Sequence, residues 1–191
     1  MKVYMINMDK RQDRLKQSNV HIPFERFQAI DGSTLMGYPV KQRGFRGCYR
    51  SHLAVLKLCL EQPDDIFIIF EDDAKLLPDF DKRLEQAMSE LPSDWDILFL
   101  GGRNMKNVYE YSEHLLITDC VYQTHAVVYR KKFIQPFIDH LSKREWKFDV
   151  LLSDFLQEDN EHKAFICNPI LAQQAPGFSD LELRFTNNEI R

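Results

Sequence analysis

Residues 66–73 read IFIIFEDD. A continuous apolar run without alternation fits a strand buried on both faces, as in a parallel sheet covered by helices. Glu71, Asp72 and Asp73 follow at once. Three carboxylates therefore stand where such a strand emerges at its carboxyl end, which is where open α/β sheets bind ligands. Adjacent like charges are costly unless a cation or hydrogen-bond donors compensate. A divalent metal carrying substrate phosphates would do so, since magnesium takes one or two carboxylates plus phosphate oxygens. Spacing alone favours a polar turn capping the next segment, and the buried strand before the triplet brings the two readings level.

Upstream of this run, residues 49–62 place Leu53, Leu56 and Leu60 at helical core spacing before Pro63 stops the pattern. Residues 32–47 hold four of the seven glycines, Pro39 and several basic side chains, and read as a loop. Residues 24–30 read as a short strand ended by an Asp31-Gly32-Ser33 turn, and residues 3–8 as an opening strand followed by a charged helix over 9–16. Downstream, Phe80, Leu84, Ala87, Met88 and Leu91 keep helical spacing up to Pro92, and residues 95–100 resume as a buried strand closed by Gly101-Gly102. Strands over 115–122 and 125–129, helices over 133–141 and 148–156, and a strand over 164–170 complete the pattern. Strands alternating with helices predict an α/β fold.

The 191 residues suit one domain, 1–191, with its own core. A hydrophobic content of 44% with 28% charged residues is that of a globular protein rather than a disordered one. The net charge of -4 offers no footprint for nucleic acid, which needs clustered cations on one face. The densest basic group is Lys41, Arg43, Arg46 and Arg50, interleaved with Phe45 and Tyr49, and reads either as a local anion site or as a solvated loop. Cys48, Cys59, Cys120 and Cys167 lie far apart without a C-x-x-C pair, so reduced, mostly buried thiols are expected. With no secretory apolar stretch and no run long enough to span a bilayer, a cytoplasmic location is expected, with room for peripheral membrane contact to a lipid-linked acceptor. The oligomeric state is not legible.

Seven segments, NMDKRQDR (7–14), FQAIDG (27–32), GCYRSHLAVL (47–56), FIIFEDDA (67–74), WDILFLGG (95–102), THAVVYRKKF (124–133) and PGFSD (176–180), occur in an order that resembles glycosyltransferase family 25. That family includes bacterial lipooligosaccharide galactosyltransferases and the collagen galactosyltransferase domains of animals. The resemblance implies a GT-A-like nucleotide-sugar-binding fold with a central, mostly parallel sheet flanked by helices. It further implies metal-dependent, inverting transfer of a hexose, galactose or glucose, from a UDP-sugar to a glycan or hydroxyl acceptor. Glu71, Asp72 and Asp73 match the acidic motif, with Asp73 as the direct ligand of Mn2+ or Mg2+. Such a metal stabilises the departing nucleoside diphosphate as a Lewis acid.

Inversion also needs a base on the acceptor side. In KFDVLLSDF (147–155), Asp149 is the candidate and Asp154 the alternate, although an Asp at the start of a helix is equally a cap. Thr124 and His125 match a family Thr-His pair suited to acceptor or phosphate contact, with a core histidine as the other reading. His52 is read as structural support beside the site. Asn7, Arg11 and Arg14 follow the first strand, where a donor diphosphate would meet a helix start, unless the arginines form a solvated face. Asp31 either closes over the base or ribose or forms only a turn, and Ser179 and Asp180 resemble a terminal Ser-Asp that returns late ligands to the site. Two departures from the family's pattern stand out: the compact stretch 102–124, which suggests a reduced acceptor-binding insertion, and Ala126 where a glycine often follows the Thr-His. A non-catalytic nucleotide-sugar or glycan-binding member and a nucleotidyltransferase are the alternatives, the latter without a visible Gly-rich phosphate loop.

Overall fold

A computed structural model describes residues 1–158, 162–180 and 184–186. The chain opens with β1 (Lys2–Asn7), a 3-10 turn and the short helix α1 (Gln12–Gln17), then β2 (Glu25–Gln28). Helix α2 (Val40–Glu61) leads into β3 (Ile66–Glu71), which is followed by β4 (Ala74–Leu76), α3 (Phe80–Glu90) and β5 (Ile97–Phe99). Strands β6 (Arg103–Lys106), β7 (Tyr109–Glu110), β8 (Leu115–Ile117), β9 (Cys120–Tyr122) and β10 (Ala126–Arg130) precede α4 (Lys131–Leu141) and α5 (Phe148–Glu158). The chain continues through β11 (Ala164–Cys167), β12 (Ala172–Gln174), β13 (Gly177–Ser179) and β14 (Arg184–Thr186).

The central sheet runs in the order β2-β1-β3-β10-β5-β11-β8-β7. Pairings β2–β1, β1–β3 and β5–β11 are parallel, while β10 runs antiparallel to both β3 and β5. This mixed α/β sheet with flanking helices is consistent with the GT-A-like architecture implied by the resemblance. Strand alternation divides the core between its two faces. Tyr4, Phe67 and Ile69 pack toward α2, α4 and α5, while Val3, Met5, Ile68 and Phe70 pack toward α3. The run 66–70 is thus apolar throughout because both of its faces are covered. No helix among the described residues is long and apolar enough to cross a membrane.

The loop expected over 32–47 is instead largely helix, since α2 begins at Val40. Two of its glycines, Gly32 and Gly47, are there for close approach rather than for turning. A Cβ on Gly47 would fall 2.6 Å from the Gly32 nitrogen and 2.7 Å from the Ile30 carbonyl oxygen, and one on Gly32 would fall 2.1 Å from the Arg43 carbonyl oxygen. Backbone-to-backbone packing of α2 on the segment after β2 requires both positions to lack a side chain. The strand expected over 115–122 is divided: β8 joins the central sheet, whereas β9 pairs with β6 in a separate ribbon.

The basic cluster on α2 is neither a free anion site nor merely solvated. Arg46 and Arg50 pair with Glu145 at 2.6 Å and 2.7 Å, and Arg43 donates to the Tyr38 carbonyl at 2.8 Å. Lys41 remains exposed. All four cysteines are free, three of them buried.

Candidate active site

A cleft of ≈ 930 Å3 opens at the carboxyl ends of β1 and β3. Because β10 is reversed, its entry residues Thr124 and His125 arrive at this same end, and the Glu71 amide donates to the His125 carbonyl at 2.9 Å. The acidic triplet, Thr124, His125 and Asp149 share the cleft wall with Arg11, Arg14, Asp31, Ser179 and Asp180.

The three carboxylates have separate surroundings. Glu71 Oε1 lies 3.1 Å from His52 Nε2 and accepts from Thr124 Oγ1 at 3.2 Å. Burial pushes the Glu71 carboxyl upward, but the His52 hydrogen bond, with His125 and Thr124, holds it below its ordinary range. Asp72 is buried and accepts from Asn7 Nδ2 at 2.8 Å and from Arg14 at 2.6 Å. Burial leaves its pKa raised despite these donors.

Asp73 accepts from Gln174 Nε2 at 3.1 Å and from Arg14 at 3.3 Å, both through Oδ2. Its Oδ1 is buried without a hydrogen-bond partner among the described residues. Burial, reinforced by the charges of Glu71 and Asp72, pushes the Asp73 pKa up to about 7. A buried carboxylate oxygen that lacks a donor, among carboxylates that Arg14 only partly neutralises, is the environment a hard divalent cation satisfies. The residues present therefore fit such an ion, with Asp73 as its ligand.

The other expected site residues divide into those the fold brings to the cleft and those it does not. Asn7 is buried, and its side chain is consumed by Asp72, the Arg11 carbonyl at 3.0 Å and Arg26 at 2.9 Å. It braces the acidic motif and does not line the cleft. Arg11 and Arg14 do line it, and neither forms a solvated face. Arg11 pairs with Asp180 and Asp13, and Arg14 donates to the Phe178 carbonyl at 2.7 Å. The late segment is thereby strapped across the cleft, which brings Ser179 and Asp180 to its edge.

Asp31 caps the following turn through the Ser33 amide at 2.9 Å and pairs with Lys10 at 2.8 Å. His125 is buried, and burial lowers its pKa, so the ring is neutral near pH 7. Asp149 lies in the first turn of α5, where it accepts from the Val150 amide at 2.9 Å, and lines the cleft, where it also accepts from the Gln123 amide at 3.3 Å. Asp154 is turned elsewhere: it pairs with Arg144 and does not border the cleft.

Three cleft residues carry no signal that sequence reasoning used. Gln174 reaches Asp73 only because β12 pairs with β4, so its contact spans 101 positions of chain. Phe148 stacks on the His52 ring with centroids 4.1 Å apart and planes 17° apart. Cys48 lies beside His52 and Glu71, and a cysteine one helical turn before a histidine was the available clue.

Comparison with known proteins bears on this geometry. The family described as "Glycosyltransferase family 25 (LPS biosynthesis protein)" matches residues 1–156. Procollagen galactosyltransferase 1-A of Xenopus laevis is 27% identical over an alignment of 131 positions, covering 54% of this chain and 21% of that protein. Procollagen galactosyltransferase 2 of Homo sapiens is 24% identical over 133 positions, with coverage of 54% and 21%. A Bos taurus protein named "Probable inactive glycosyltransferase 25 family member 3" is 30% identical over 93 positions, covering 45% of this chain and 16% of the relative. The chain thus spans about a fifth of the length of these relatives. Among solved structures, A197 from STIV superposes with a TM-score of 0.52 at 12% identity, covering 100% of this chain and 96% of that one, a likeness of fold alone.

Proposed function

The chain belongs to glycosyltransferase family 25, and from that premise we propose that it transfers a hexose, galactose or glucose, from a UDP-sugar to a hydroxyl of a glycan or similar acceptor, with inversion and with a divalent metal. The observation that carries this reading is Asp73 at the carboxyl end of β3, with Oδ1 buried and unpartnered among the described residues. Mn2+ or Mg2+ held there by Asp73 would act as a Lewis acid toward the departing nucleoside diphosphate. The names of the procollagen relatives support galactose as the transferred sugar.

The chain's own residues take the remaining tasks. Asn7 and Arg14 fix Asp72 and Asp73 in place, so their part in donor binding runs through the acidic motif. Lys10 and Asp31, at the rim, suit the polar edge of a ribose or base. Asp149 takes the proton of the acceptor hydroxyl, with its carboxylate oriented by the Val150 and Gln123 amides. Neutral His125 and Thr124 line the floor beside Glu71, where they can hold a phosphate or acceptor oxygen. Ser179 and Asp180 close the late segment over the bound donor through Arg11. A cytoplasmic setting, with peripheral membrane contact where the acceptor is lipid-linked, accords with this role.

The test is donor turnover. The protein is incubated with a panel of nucleotide sugars and Mn2+, and nucleoside diphosphate release is recorded for wild type and Asp73→Ala. Release from one donor, abolished by the substitution or by chelation, is the expected result. The bovine relative, whose name contains the words "Probable inactive", favours a second reading, a non-catalytic nucleotide-sugar-binding member. Donor binding without release, with or without an acceptor, would select it. Absence of any donor binding with metal present would remove both.

A further inference from the structure

The geometry points to a second metal site, one for a zinc-type ion, built from Cys48, His52 and Glu71 on the wall of the cleft. Cys48 and His52 lie four positions apart on α2, so they share one helix face. Glu71 meets them from the end of β3. One ligand atom from each of the three lies within 4.8 Å of the others. His52 is buried, its Nδ1 has no hydrogen-bond partner among the described residues, and stacking on Phe148 holds the ring in place. All three residues border the cleft, so an ion can enter and a water or ligand atom can fill a fourth position.

The donor set decides the metal. Thiolate, imidazole and carboxylate together suit a borderline-soft tetrahedral ion such as Zn2+, with three protein ligands and one open position. Mn2+ and Mg2+ prefer oxygen, so the Asp73 position and this one are chemically distinct although Glu71 adjoins both. Glu71, Asp149 and Asp73 surround Cys48 with negative charge, and burial together with that charge keeps the free thiol protonated. The same charge attracts a cation. On binding, the Sγ–H bond breaks, an Sγ–metal bond forms and the proton leaves to solvent, so uptake strengthens as pH rises. If the chain is a metal-dependent transferase, as proposed above, occupancy here engages Glu71 and inhibits it.

Cobalt(II) makes the site visible without any sugar donor, so the outcome is independent of whether the protein is a transferase. Chelator-treated protein titrated with Co2+ should develop a thiolate-to-cobalt charge-transfer band in the near ultraviolet and intense tetrahedral visible bands, both bleached by one equivalent of Zn2+. Cys48→Ser, checked for folding by near-ultraviolet circular dichroism, should lose the charge-transfer band. A wild-type spectrum with only weak octahedral bands overturns the proposal. Persistence of the thiolate band in Cys48→Ser also overturns it, because the sulfur would then come from another cysteine.

Discussion

The guanidinium of Arg14 lies 2.6 Å from Asp72 Oδ1 and 3.3 Å from Asp73 Oδ2, so one cation on the first helix serves two carboxylates of the acidic motif. Only 16% of the Arg14 side chain and 8% of the Asp72 side chain remain exposed, which places the pair where removing one partner strands the other. Arg14→Met should therefore destabilise the metal-free protein by about 3 kcal/mol, the lower end of the cost of breaking a buried ion pair. Arg14→Lys keeps the charge but loses Nη2, which donates to the Phe178 carbonyl while Nη1 serves both carboxylates, and should cost less. Urea unfolding of the three proteins under chelation gives the comparison.

Asp73 supplies the oxygen that a hard cation would complete. Adding Mn2+ at roughly 100 times its Kd should stabilise wild type by about 2.7 kcal/mol, the mass-action value for one site, seen as a rise in Tm. In Asp73→Asn the rise should be absent. An equal rise in both proteins would move the ion away from Asp73.

Two aspartates five positions apart now have different expected roles. Asp149→Asn should lower the rate of sugar transfer by about 100- to 10,000-fold, the usual contribution of a general base, with donor affinity little changed. Asp154→Asn, which disturbs only the pair with Arg144 on the half-exposed side of α5, should leave transfer within about twofold, as surface pairs contribute little. Steady-state transfer rates alongside donor titrations separate the two.

Away from the cleft, Glu90 anchors the turn before β8, accepting from Ser112 Oγ at 2.5 Å and from the His114 amide at 2.9 Å. These hydrogen bonds, that of Ser112 foremost, lower the Glu90 pKa from 4.5 to about 2. A depressed carboxyl pKa contributes stability that is complete above the unfolded value and is lost as pH falls through the folded one. Glu90→Gln should thus lower Tm at pH 7, and the gap to wild type should narrow as pH is taken from about 4.5 toward 2. Thermal melts across that range, each referenced to wild type in the same buffer, measure the gap.

How far the sequence could be read depended on the range of each interaction. The buried strand over 66–70 was legible because its burial is written into consecutive residues, and the carboxylates that follow it did reach a cleft. Gly44 and Gly47 misled because a glycine's local reading is chain breaking, whereas at Gly47 the demand comes from Ile30 and Gly32, whose backbone presses on the helix. For Arg14 and Asn7, local sequence shows a basic and a polar side chain after a strand, not that Asp72 will lie 2.6 Å and 2.8 Å away. Gln174 left no trace at all, since its relation to Asp73 exists only once β12 has paired with β4. Asp149 carries no local sign of its setting either, since a position in the first turn of α5 does not tell that the helix start opens onto the cleft.

Strand β10 is pinned on one side by β3 and on the other by β5, with its direction reversed relative to both. The chain consequently enters the cleft wall at Thr124 and departs at the opposite end of the sheet, through Arg130 into α4. Between Gly102 and Gln123, β8 and β9 are tied into the body of the fold, whereas residues 106–111 are exposed, and the register of β10 is indifferent to how long that exposed stretch is. The architecture separates a part that can be rewritten from a part that must stay still. A lineage can lengthen, shorten or reshape the outer segment to meet a new acceptor while Thr124, His125 and Glu71 keep their mutual positions.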